Sequence, residues 1–91
     1  GRQLEANQVL NISITVIEKF LSGIVKESVY CRGEYFKQGT VFVTVPSGMM
    51  AQELRFKEQM LLEQVNAKLG DAVVKRLHVF VGTVEPKQKK L

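Results

Sequence analysis

Ninety-one residues, 45% of them apolar, are enough for one small domain around a single core. The lone cysteine, Cys31, excludes an intramolecular disulfide, and no apolar run approaches the roughly 20 residues that would span a bilayer; a soluble cytoplasmic protein without membrane contact is expected. The net charge of +4 does not describe the folded body: once Arg2, Lys87, Lys89 and Lys90 near the ends are set aside, basic and acidic residues are equal in number.

Residues 1–8 are polar and read as a flexible N-terminal arm. The apolar stretch Val9–Val25 is rich in β-branched residues, but Thr15-Val16-Ile17-Glu18 fits a capping box and Ile17, Leu21 and Ile24 follow helical spacing. A helix from Asn11 or Thr15 to Val25 is expected, held by packing more than by propensity. A strand from Val29 to Lys37 and a second from Thr40 to Val45 form a hairpin with Gln38-Gly39 at the turn. A two-residue turn sets Tyr35 opposite Phe42 and Phe36 opposite Val41.

In the second strand Val41, Val43 and Val45 alternate with Thr40, Phe42 and Thr44, the period of a half-buried strand. Ser47 is an N-cap for one long helix from about Gly48 to Leu69. Met50, Leu54, Leu61, Val65 and Leu69 make its apolar stripe, with Glu58 filling a gap and Glu53–Lys57 set as an i,i+4 ion pair. Gly70 falls where a left-handed closing residue is wanted. Leu77, Val79 and Val81 then alternate with Arg76, His78 and Phe80 in a third strand. Strand, crossover helix and returning strand imply a parallel pair. The domain is read as 9–82, followed by a basic tail over 83–91, in the order α-β-β-α-β.

The stretch Thr40–Gly82 resembles the bacterial DciA family, which works with the DnaB-type replicative helicase. The likeness rests on the valine strand behind Gly39, then Ser47, Ala51-Gln52-Glu53-Leu54, Leu61-Leu62, Val65-Asn66, Leu69-Gly70 and Leu77…Val79…Val81-Gly82. Upstream, the family's W-x-x-I-V-G appears with Leu21 for Trp and Lys26 for Gly, and its His-Thr as Arg32-Gly33. The resemblance implies a KH-like α+β fold, a three-stranded mixed sheet with helices on one face. It also implies a non-enzymatic role in helicase loading during DNA replication, with the helicase and DNA as partners.

Residue chemistry offers little for catalysis. His78 and Asp71 are single, no CxxC, HxxxH or HExxH spacing exists, and neither metal nor cofactor is expected. A Cys31–His78 nucleophile pair would need the two to meet across the sheet, without an orienting carboxylate. None of the seven glycines is spaced as GxxG, the clamp with which KH domains hold a nucleic-acid backbone.

The open sheet face is the better candidate. If the valines face the helices, Phe42, Phe80, His78, Arg76 and Tyr35 face away. Aromatics among basic residues can stack bases and neutralise phosphates. Phe42 and Phe80 also fit a protein interface, including a homodimer through this face, and, less readily, a surface covered by the N-terminal arm. Lys87, Lys89 and Lys90 suit a weak, salt-dependent contact with single- or double-stranded DNA, or act as a solubilising tail. A KH-like RNA-binding or ribosome-associated factor is the alternative function.

Overall fold

The structure, a computed structural model, describes residues 4–86. Its elements are α1 (Ala6–Val25), β1 (Arg32–Lys37), β2 (Thr40–Val45), α2 (Gly48–Phe56), α3 (Glu58–Leu69) and β3 (Arg76–Val81). Strand order is β1-β2-β3, with β1 antiparallel and β3 parallel to the central β2. The valine alternation decides the layering: Val41, Val43 and Val45 are fully buried, with Leu77 and Val79 beside them. The helices cover that side and leave the other open, the α+β arrangement expected of a KH-like domain.

The hairpin has the expected register, Tyr35 opposite Phe42 and Phe36 opposite Val41. Gln38 and Gly39 both take positive φ (50° and 80°), as a tight primed turn requires. The Gly39 carbonyl also accepts the N–H of Lys75 at 2.7 Å, which stitches the hairpin tip to the approach to β3. β1 starts at Arg32 and not at Val29, because α1 claims the preceding amides. Val29 N–H donates to Ser22 Oγ at 3.0 Å and Cys31 N–H to Glu18 Oε2 at 2.8 Å. Gly33 lies where a Cβ would sit 3.1 Å from Ile14 Cγ1, so its bareness lets α1 close on β1.

α1 begins well before the expected position, and Ala6–Gln8 are helical where a flexible arm was expected. Glu5 and Gln8 form the reciprocal capping box, with Glu5 N–H donating to Gln8 Oε1 at 3.0 Å. The Thr15–Glu18 box does not form: the Thr15 hydroxyl bonds back to the Asn11 carbonyl, and Glu18 is turned to Cys31. At 20 residues and a mean hydropathy of 1.3, α1 does reach the length and apolarity of a membrane-crossing helix. Polar residues are scattered through it, however, and Val9, Ser13, Val16, Ile17 and Leu21 form a stripe buried in the domain core. Its last turn closes on Lys26 in the left-handed conformation (φ 64°).

The long second helix is broken at Lys57 (φ −106°, ψ 20°) into α2 and α3. No Gly or Pro marks the break. α2 rests mainly on β3 and α3 mainly on α1, so the two halves have different beds. The break also brings two side chains to the outer edge of β3. Arg55 Nη2 donates to the Val79 carbonyl at 3.2 Å, and Glu58 Oε2 accepts from Leu77 N–H at 2.8 Å. The gap that Glu58 leaves in the apolar stripe is thus filled by a β3 amide. The expected Glu53–Lys57 ion pair is not made; among the described residues the one ion pair is Arg32–Glu34.

Ser47 caps α2 through Met50 N–H, and Gly70 (φ 78°) closes α3. Asn66 fastens the turn into β3: its Oδ1 accepts from Val73 and Val74 N–H, and its Nδ2 donates to the Val74 carbonyl. Val81, expected to face the helices, is 53% exposed because it lies past their reach at the end of the strand.

Two stability measurements check this packing. Leu61, fully buried, loses its side chain in Leu61→Ala at a cost of about 2–5 kcal/mol, read as a lower urea midpoint. Lys26→Gly removes a side chain from the left-handed region and raises stability by about 1 kcal/mol; a loss instead would mean that the lysine stem packs on α1.

Candidate nucleic-acid interface on the open sheet face

Side chains at alternate positions of the three strands converge on the open face. Tyr35 lies opposite Phe42 across the antiparallel pair, and Phe42 opposite His78 across the parallel pair. Phe80 follows His78 two residues on. The four rings group around Phe42, which also lies nearly parallel to Phe80 at 6.3 Å. Tyr35 and Phe42 stack at 4.3 Å between centroids with planes 26° apart, and Phe42 meets His78 at 5.3 Å. His78 and Phe80 are edge to face at 4.9 Å. Tyr35 and Phe80 are 48% and 41% exposed, whereas Phe42, central in the row, is half-buried by its neighbours.

Arg76 lies at one end of the face, two residues before His78 and in register with Thr40, which is itself opposite Lys37. Lys37 and Arg76 are exposed and, among the described residues, neither has a carboxylate partner. Lys37 was not singled out from sequence, although its parity with Tyr35, two residues before it, was visible. The opposite end is different. Glu34, the extra residue where the β1 register shifts, accepts from the Thr44 hydroxyl and from Arg32 Nε at 2.9 Å. The Thr44 hydrogen bond, and after it Arg32, hold the Glu34 carboxyl below the usual carboxylate range. Arg32 is further tied to the Thr83 carbonyl at 3.1 Å. Its charge is therefore spent, while those of Lys37 and Arg76 remain open.

The structure thus brings Tyr35, Phe42, His78, Phe80 and Arg76 together. Lys87, Lys89 and Lys90 lie outside the described residues. Cys31 does not join the group. It packs on the helix side near Leu10 and Ile14, so it does not meet His78. Burial, with Glu18 adding to it, pushes its thiol up to about 12, far from a thiolate at neutral pH.

The Cys31 shift carries a pH consequence. The folded thiol keeps its proton above pH 9, where the unfolded thiol loses it, so folding becomes less favourable from pH 9 towards 12. Cys31→Ala removes that part of the decline, and denaturation midpoints measured at pH 8 and pH 10 expose the difference.

The family model described as Dna[CI] antecedent, DciA, matches residues 26–79, more than half of the chain. A search among curated proteins finds no individual match. The matched span runs from the residue that closes α1 to Val79, and so takes in all but the end of the open face.

Proposed function

The chain belongs to the DciA family, and from that we propose that it serves DNA replication beside a DnaB-type replicative helicase. Family membership supports the helicase-loading-related role. The module works by binding, without catalytic chemistry, and in the cytoplasm. Its DNA contact is the open sheet face, where Phe42, Phe80, His78 and Tyr35 meet bases and Arg76 meets phosphate. One observation carries this reading: four contacting rings are flanked by two basic side chains that have no acidic partner among the described residues. A homodimer through the same face would bring like charges together, and a core-like interface would leave Lys37 and Arg76 with nothing to neutralise them. Lys87, Lys89 and Lys90 add a salt-sensitive phosphate contact from the tail. Sequence selectivity is low, because stacking is tolerant of base identity.

The test is the double variant Phe42→Ser/Phe80→Ser. It keeps its fold, since neither ring belongs to the buried core, and loses roughly thirty-fold or more in DNA affinity. Retained affinity in a variant with a normal thermal transition would remove this face from the reading. Recovery of the helicase from nuclease-treated lysate by the wild-type chain tests the protein partner separately; recovery of ribosomal particles instead would favour an RNA-associated role.

A further inference from the structure

The ring row has two unequal ends. At the Phe80 end, β3 is the last strand, and its outer edge is occupied by Arg55 and Glu58 through Val79 and Leu77. At the other end stands Tyr35, on β1, the opposite edge strand. One face of the Tyr35 ring is covered by Phe42 at 4.3 Å, nearly parallel to it. Among the described residues no strand lies beyond β1 to cover the other face, and Tyr35 is 48% exposed. The stack therefore stops at an aromatic surface open to solvent. Two residues further along the same strand, on the same side of the sheet, Lys37 stands exposed without a carboxylate partner among the described residues.

We infer that the outward face of Tyr35 receives one unpaired base of single-stranded DNA as the next rung of this row, with Lys37 on the neighbouring phosphate. The inference rests on the reading of the open face as the DNA contact and specifies which strand form it takes. A base inside a duplex is stacked on both faces and presents only edges to a protein. A base in a single strand has a free face and pays little to turn it towards the ring. The unneutralised charges of Lys37 and Arg76 favour a polyanion over an apolar peptide side chain as the group that completes the stack. The acidic end of the face, at Glu34, lies on the far side of Tyr35 from Lys37, so the strand is held towards the Lys37–Arg76 end.

The test compares three labelled probes by fluorescence anisotropy with the full chain: an oligothymidylate, an abasic strand of the same length, and a duplex. Tyr35→Ser weakens the oligothymidylate about tenfold and leaves the abasic strand and the duplex unchanged. Tyr35→Trp retains the wild-type affinity. Lys37→Gln lowers the slope of log affinity against log salt by about 0.7, one single-strand phosphate contact. Equal binding of the oligothymidylate and the abasic strand by the wild-type chain would overturn the inference, as would equal losses on all three probes in Tyr35→Ser. With oligouridylate added as a fourth probe, a Tyr35-dependent preference for it over oligothymidylate would overturn the assignment to DNA. Should Phe42→Ser/Phe80→Ser abolish oligothymidylate binding while Tyr35→Ser does not, the rung alone fails. Should neither variant weaken it, the open-face reading fails as well.

Discussion

The architecture depends on β2 being paired on both sides. A central strand cannot rotate or slip without breaking two ladders, so its alternation is fixed for the whole sheet. Val41, Val43 and Val45 then lie under the helices, and Phe42 must stand on the other face between Tyr35 and His78. Core and candidate site are two sides of one decision. A one-residue slip of β2 would turn Phe42 and Thr44 towards the helices and the three valines away from them, losing both at once.

The two sheet edges are treated differently, and the broken helix is the reason. A break at Lys57 costs helical continuity, yet it sets Arg55 and Glu58 against the free backbone groups of β3. Those groups would otherwise be a template for another strand. On the β1 side, the register shift at Glu34 and the charge of Lys37 discourage strand addition, while the Tyr35 ring remains uncovered. The result is a sheet that resists edge pairing but offers side chains from its open face, which suits the proposed contact with a flexible strand.

Much of this was legible in sequence because it rests on short-range physics. The valine alternation, the Ser47 cap, the closing Gly70 and the Gln38-Gly39 turn are each decided within a few residues, and each is found as expected. The misses have a different origin. Glu5 is an unusual residue at an N-cap, so the true start of α1 gave a weaker signal than Thr15–Glu18 inside it. The break at Lys57 is imposed by the surfaces on which α2 and α3 rest, not by a local breaker. Lys26 in the left-handed region and Val81 at an exposed strand end follow from where neighbouring elements stop. The aromatic row was legible from strand parity; the contrast between its open Tyr35 end and its covered β3 end was not, since it depends on strand order and on Arg55 and Glu58.

The DNA contact proposed for this DciA-family domain is the face its central strand turns away from the helices. An amide chemical-shift titration of the isotope-labelled chain with a short single strand tests that most directly. The account predicts that perturbations cluster on Tyr35, Lys37, Phe42, Arg76, His78 and Phe80, with α1 and α3 nearly silent. Perturbations concentrated instead on the exposed sides of α1 and α3, with those six residues unmoved, would contradict it.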